Sequence, residues 1–444
     1  MSTGRGVRVS EGLRAETAAR LLRAVALVQH ESRQPSLVAA VVRDGGMVWS
    51  AVRGTEAGNC EPSLDTQYRI GSITKTITAL TLLQCRDEGL VDLDTTVGSV
   101  LGEVPFAGAS LRQLLSHAAG LPAEPEGPWW ERCDGGDFEE LSDRLRDQQP
   151  VLPAGRQQHY SNLGYALVGE AVGRVRSQPY QEVARQRVLE PLGMVRTTYH
   201  PQVPHAQGYS VHPWSGRLVP EPHTDTGAMG PAGQWWSTAA DLCRYAAFWL
   251  DPDPCVLAPE TVAEMRIPVA GQPDDGLEAG YGLGLSLAAR PGRTVFGHGG
   301  SMPGFLASMV MDPQQRTAAV ALSNGTAGET LGLGYTLLDL VAEYEPKLPQ
   351  PWRPEPELAA AEDLLGQWFW GNTPYTLEVA DGHLVLDTGR PGRGTRLVPD
   401  GEDRWRGLDQ YFTGETLRVH RASDGSIRHL NLATYTLTRT PYGT

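Results

Sequence analysis

Apolar side chains recur at Ala18, Leu21, Leu22, Val25 and Val28, the spacing of one helix face, which predicts an amphipathic helix over 13–30. Two β-branched runs then flank Asp44-Gly45-Gly46 in SLVAAVVRDGGMVWSAVRG, a β-hairpin signal. A short strand is predicted over 67–70. A helix follows from Ser72 and stops at Gly89, glycine being the usual residue just past a helix end. From Leu90 to Tyr199 the period stays mostly helical, with helices expected in SLRQLLSH, FEELSDRLRD and LGYALVGEAVGRV between loops that carry proline and glycine. Another helix is predicted over Thr238–Leu250. Strand character returns in YGLGLSLAA, TVFGHGG, FLASMVMD and TAAVALSN, and a helix near Thr330–Tyr344 would pack back on that antiparallel sheet.

The pattern changes after residue 347. Leu348–Glu357 holds four prolines in ten residues, a stiff linker. Beyond it, GQWFW, YTLEVA, HLVLD, TRLVP, TLRVHRA, IRHLNLA and TYTLTRT are short alternating segments separated by glycine-bearing turns, the signature of a small β-barrel or sandwich. The expected organisation is therefore 1–347, a linker over 348–357, and a barrel over 358–444.

Composition removes several function classes. The net charge is -14, so the basic stripe of a nucleic-acid binder is missing. The first thirty residues show no apolar run followed by a small-residue cleavage site, and no window approaches the ~18 apolar residues of a membrane span. Neither nucleic acid nor membrane is an expected partner. Five cysteines (Cys60, Cys85, Cys133, Cys243, Cys255) form no C-x-x-C pair and read as free thiols of a cytoplasmic protein. His200, His205, His212 and His223 are spaced irregularly and do not read as a zinc site. Of the 38 basic residues only Lys75 and Lys347 are lysines. A lysine kept in an arginine-rich chain draws attention, because a buried amine can lose its proton and a guanidinium cannot.

Lys75 lies in Gly71-Ser72-Ile73-Thr74-Lys75 at a strand-to-helix junction. Residues i and i+3 share a helix face, so the Ser72 hydroxyl and the Lys75 amine can meet, while the flanks Ile70, Ile73, Ile77 and Leu80 are apolar. A second segment, Tyr160-Ser161-Asn162, pairs a phenol able to exchange protons with an amide able to hold a carbonyl. A third, Gly297-His298-Gly299-Gly300-Ser301, is an apolar strand running into glycines that let backbone N–H groups approach a ligand. Each string alone is weak. Trp129-Trp130 and Trp235-Trp236 add a further expectation, that one indole of each pair lines a cleft.

In this order, S-x-x-K, Y-x-N and H-x-G resemble the signature of serine β-lactamase and penicillin-binding-protein-like enzymes, the branch of class C β-lactamases, D-aminopeptidases, DD-peptidases and family VIII esterases. LRQLLSHAAGLP, EPLGM, WSTAADL and HGGSMPGF support it, over roughly 15–345. The resemblance implies an α+β, α/β fold, an antiparallel sheet flanked by helices plus an all-helical subdomain, here followed by a lipocalin-like barrel. It implies Ser72 as nucleophile, with Lys75 and Tyr160 sharing its proton and either one able to be the base. Asn162 would orient Lys75 and the substrate carbonyl. His298 would complete the Tyr160 network or bind a carboxylate, and the oxyanion hole would be the N–H groups of Ser72 and Ser301, beside Gly300. No metal or cofactor is implied. Histidine in place of the K-T-G lysine lowers the expectation of a dedicated β-lactamase. No G-x-S-x-G elbow is present.

Among these branches the layout is most similar to penicillin-binding-protein-type thioesterases, which release and macrocyclise non-ribosomal peptidyl thioesters. That resemblance implies a peptidyl thioester on a carrier protein, or a small peptide, as substrate, with a D-configured C-terminal residue. It also implies that a barrel arginine reads a terminal carboxylate, Arg439 being the best positional match and Arg428 the second. A monomer or dimer is expected. The alternatives are a D-aminopeptidase, another D-amino-acid peptidase, and a family VIII esterase.

Overall fold

A computed structural model describes residues 7–9, 13–55, 61–348, 351 and 356–443, so Cys60 and most of the proline-rich segment lie outside the described residues. The chain divides into two compact units, Met1–Lys347 and Leu348–Thr444.

The first unit is built on an antiparallel sheet of eight strands: β1 (Val7–Val9), β2 (Ser36–Arg43), β3 (Gly46–Gly54), β4 (Ala279–Tyr281), β5 (Ser286–Arg290), β6 (Arg293–Met302), β7 (Phe305–Asp312) and β8 (Thr317–Ser323). Their spatial order is β1-β3-β2-β8-β7-β6-β5-β4. The predicted hairpin is β2–β3, with Arg43 opposite Gly46. Asp44 and Gly45 turn the chain with φ of 50° and 82°, the left-handed pair that a two-residue hairpin needs. Side chains of β2 alternate between two apolar clusters. Leu37, Ala39 and Val41 face one side with Leu21 and Val25 of α1 (Ala15–Glu31) and with Leu333 and Leu337 of the predicted helix Thr330–Tyr344. Val38, Ala40 and Val42 face the other side, where a layer of helices packs.

That layer centres on α2 (Thr74–Asp87), whose residues 74–85 are all buried. A helix covered on every side gains nothing from a polar face, and its threonines hide their hydroxyls by bonding backward along the helix. Thr76 donates to the Ile73 carbonyl, Thr78 to Thr74 and Thr81 to Thr78. Packed against α2 is α3 (Asn162–Arg176), capped by Ser161, whose Oγ accepts the Gly164 N–H at 3.0 Å. The predicted helix over 238–250 is α4 (Ala239–Leu250), with Thr238 as its cap. The helical middle of the chain is otherwise made of short pieces, among them Leu111–Leu115 and Phe138–Leu145.

The second unit is a closed antiparallel barrel of eight strands from Gly366–Trp370 to Tyr435–Thr438, sealed where Phe369 and Trp370 pair with Thr438 and Leu437. Trp368, Leu377, Leu386, Leu397, Leu417 and Leu430 fill its interior, as expected of a barrel this small. Among the described residues, no helix is long and apolar enough to cross a membrane.

Candidate active site

Ser72 sits on a single 3₁₀ turn, Gly71–Ile73, that feeds α2, so the α-helix begins two residues later than predicted, at Thr74. The turn is held against the edge of β6. Strand β5 covers that edge only as far as Gly297, leaving His298–Met302 free on this side. Backbone meets backbone there. A Cβ at Gly71, where φ is +49°, would lie 2.5 Å from the Ser301 nitrogen, and one at Gly300 would lie 1.9 Å from the Ile70 carbonyl oxygen and 3.3 Å from the Ser72 nitrogen. Glycine is required at both positions because the two chains could not otherwise approach. The approach brings the backbone N–H groups of Ser72 and Ser301 to one place, the arrangement that stabilises a developing oxyanion.

Lys75 is fully buried, with Nζ 2.9 Å from Ser72 Oγ, 2.6 Å from Asn162 Oδ1 and 2.7 Å from the Ala232 carbonyl oxygen. Burial pulls its amine down to about 7, and the Glu124 and Glu131 carboxylates oppose the shift only in part. In the neutral amine, two N–H bonds satisfy the Asn162 and Ala232 oxygens, and the remaining lone pair faces the Ser72 hydroxyl. That is the geometry of a general base.

The orientation of the Asn162 amide is fixed from its other end. Asn162 Nδ2 donates to Glu124 Oε1 at 2.7 Å, and Trp130 Nε1 donates to Glu124 Oε2 at 2.7 Å. A carboxylate can only accept, so the amide oxygen must face Lys75. Tyr160 hydrogen-bonds Ser72, and its phenol is raised above the ordinary range, chiefly by burial. A raised phenol holds its proton more firmly, which weighs against a Tyr160 phenolate as the base. Ser72 and Tyr160 are half-buried and Ser301 is exposed, while Lys75, Asn162 and His298 lie beneath them.

His298 departs from expectation. Its Nδ1 lies 2.5 Å from the Gly299 carbonyl oxygen and so carries the proton, and its Nε2 accepts from the Tyr281 hydroxyl at 2.9 Å. Burial and the Lys75 charge lower its pKa to about 3. Both ring nitrogens are engaged, and the ring centroid stands 6.2 Å from that of Tyr160. In this structure His298 neither donates to the cleft nor bonds Tyr160; it braces β6 beneath the oxyanion segment.

The second tryptophan pair is also corrected. Trp235 and Trp236 are both buried, at 2% and 1% exposure. Both indoles sit in aromatic clusters, that of Trp236 including the rings of His205 and His223. Trp235 packs edge-on to Tyr199 and Trp236 to Phe305. Their contribution to the site is through backbone: the Ile70 N–H donates to the Trp235 carbonyl at 3.0 Å, and Trp236 pairs with Arg69. The first pair does divide, Trp129 being 58% exposed and Trp130 6%. Arg439, in the second unit, donates to the carbonyls of Asp363, Leu365 and Gln367 and stacks 3.9 Å over Trp368. It is a staple of the barrel, and its surroundings give no support to a carboxylate-reading role.

Glu124 and Tyr281 went unnoticed in the sequence. Nothing in AEPEGP distinguishes Glu124 from its neighbour Glu126, and Tyr281 reads as one more strand aromatic. A cavity of about 640 Å³ lined by Phe138, Gly169, Tyr180, Tyr199 and Pro231 includes none of Ser72, Lys75 and Tyr160, and is not the reaction centre.

Comparison with known proteins places the chain by family and fold. A family model described as Beta-lactamase matches residues 21–343, and one described as a domain of unknown function matches 357–439. The Beta-lactamase-like protein 2 of Dictyostelium discoideum is 31% identical over 255 residues, covering 53% of this chain and 46% of that protein. The chain spans only about half the length of that relative. A D-aminopeptidase of Cereibacter sphaeroides is 26% identical over 414 residues, 88% of this chain and 75% of the relative. Among solved structures, the octameric penicillin-binding protein homologue from Pyrococcus abyssi superposes with a TM-score of 0.66 at 23% identity, covering 95% of this chain and 99% of the other. SurE, solved also with D-Leu, superposes with a TM-score of 0.60 at 22% identity, covering 96% and 99%.

Proposed function

The chain belongs to the beta-lactamase family, and from that premise we propose that it transfers acyl groups through an ester on Ser72. The observation that carries this reading is the buried Lys75 amine, 2.9 Å from the Ser72 hydroxyl, whose pKa burial pulls down to about 7 so that a neutral fraction is available at that pH. Lys75 takes the Ser72 proton as Oγ attacks the substrate carbonyl carbon. The backbone N–H groups of Ser72 and Ser301 hold the oxyanion; losing one such donor costs about 3 kcal/mol. On collapse, Tyr160 gives its proton to the leaving group and recovers one from the Lys75 ammonium. Water or an amine then enters by the same steps in reverse.

The finer reading is a stand-alone thioesterase that takes a non-ribosomal peptidyl thioester with a D-configured C-terminal residue, delivered on a carrier protein, and closes it into a ring. Its support is the layout, a catalytic unit followed by a closed barrel, which superposes on SurE along nearly the whole chain. A second reading, a D-aminopeptidase or D-amino-acid amidase, is favoured by the Glu124 carboxylate at Asn162, which would draw a substrate ammonium group toward the acyl carbon. The deciding experiment offers the protein a peptidyl N-acetylcysteamine thioester and a D-amino-acid amide. A cyclic product supports the thioesterase; linear acid alone, together with turnover of the amide, supports the hydrolase. A Ser72→Ala protein that retains turnover of both overturns the acyl-enzyme itself.

A further inference from the structure

His117 closes the short helix Leu111–Leu115 and carries two local costs. Its backbone is left-handed, with φ +57°, a conformation that is strained for a residue with a side chain. Its ring is buried, and Nε2 has no hydrogen-bond partner. Nδ1 accepts the Ser161 N–H at 3.1 Å, so the proton of the neutral ring sits on that unpartnered Nε2. Burial, with Lys75, His298 and His159 nearby, holds the imidazole well below its usual pKa and hence neutral.

What those costs secure lies on both sides of one residue. The His159 N–H donates to the His117 carbonyl at 2.7 Å, the Ser161 N–H donates to the His117 ring, and the ring itself lies 4.2 Å from the ring of Tyr160, centroid to centroid. Tyr160 is gripped through the backbone N–H groups of both neighbouring residues and through its aromatic face. Tyr165 and Tyr281, with ring centroids at 5.2 and 4.6 Å, close the remaining sides of the imidazole. We propose that His117 is the positioning residue for Tyr160, aiming the phenol at the leaving group by holding the backbone before and after it. This rests on the acyl-enzyme reading above.

The role separates from general stability by leaving group. A p-nitrophenyl ester departs without a proton, whereas an alkyl ester of the same acid needs the proton that Tyr160 supplies. In His117→Phe the ring stack remains and the acceptor for Ser161 is lost. Turnover of the ethyl ester of N-acetyl-D-alanine should fall at least 50-fold while that of its p-nitrophenyl ester falls less than fivefold, a contrast in the direction expected when general-acid catalysis, worth ~10²–10⁴, is impaired. His117→Asn tolerates the left-handed backbone and offers an acceptor oxygen, and should restore most of the ratio. Equal losses on both esters in His117→Phe, or no loss, overturn the proposal, and so does a His117→Asn protein that shows the same contrast as the phenylalanine variant. Where His117→Phe folds poorly, His117→Ala, which also removes the acceptor for Ser161, takes its place with the same expected contrast. Retained turnover in Ser72→Ala would instead bring down the acyl-enzyme reading on which it rests.

Discussion

Asn162 is turned toward Lys75 by a residue that never touches the lysine: Glu124 accepts a hydrogen bond from Asn162 Nδ2 at 2.7 Å, which leaves Oδ1 facing Nζ at 2.6 Å. Glu124→Gln removes both that constraint and a carboxylate that favours the charged amine. The expected outcome is a lower kcat/KM with its acid limb displaced to lower pH, because the amine deprotonates more readily without the nearby negative charge. A pH profile on a p-nitrophenyl ester checks it; an acid limb that stays in place or moves upward contradicts the assignment of Glu124.

Lys75, held near 7 by burial, should set the acid limb of the wild-type profile. The rate should climb about tenfold per pH unit well below pH 7 and flatten above about pH 8. The same shift couples to stability. Between pH 7 and its unfolded value near 10.5 the unfolded chain carries a proton on this amine that the folded chain does not, so stability should rise with pH across that window. Lys75→Met should flatten that part of the rise, as read from denaturant melts at pH 7 and pH 9.

Lys75→Arg keeps the charge and removes the base. A guanidinium cannot deprotonate at working pH, so labelling of Ser72 by a fluorophosphonate should fall by about 10³-fold or more. Because the site is fully buried, the larger side chain also risks overpacking. Lys75→Met, close in volume, should lose the same activity with a smaller change in Tm. Appreciable labelling in the methionine protein would remove Lys75 from the role of base.

Much of this was legible in the chain because local rules and the fold agree. The 36–54 hairpin carries its own turn chemistry, and Ser72 and Lys75 share a helix face by spacing alone. What the sequence could not give is the company that residues distant in the chain keep. His298 looks like a donor beside a cleft until Tyr281 and its neighbour's carbonyl are seen to occupy both nitrogens. Trp235 and Trp236 look like a pair with one indole in a cleft, and become core once both are seen buried against Tyr199 and Phe305. Glu124 is one acidic loop residue among several until Asn162 and Trp130 reach it.

Gly300→Ala tests the oxyanion segment by sterics alone. The added methyl would meet the Ile70 carbonyl at 1.9 Å and must push β6 away from the Ser72 turn. Fluorophosphonate labelling should drop about 10²–10³-fold, the size of one lost oxyanion donor. Lys75 remains in place, so the pH of the acid limb should not move. A labelling rate near wild type would mean that the two backbones need not touch for acylation.

Arg439→Ala distinguishes a staple from a reader of carboxylates. Removing the guanidinium leaves the carbonyls of Asp363, Leu365 and Gln367 without that donor and uncovers Trp368. Exposed carbonyls can turn to water, so the loss should be modest, about 1 kcal/mol, seen as a lower melting transition for the barrel. KM for peptidyl substrates should stay within twofold whether their far end carries a free carboxylate or an amide. If the variant instead melts like the wild type while KM rises several-fold for the free carboxylate alone, Arg439 reads substrate and the thioesterase reading gains the contact that its surroundings in the barrel do not supply.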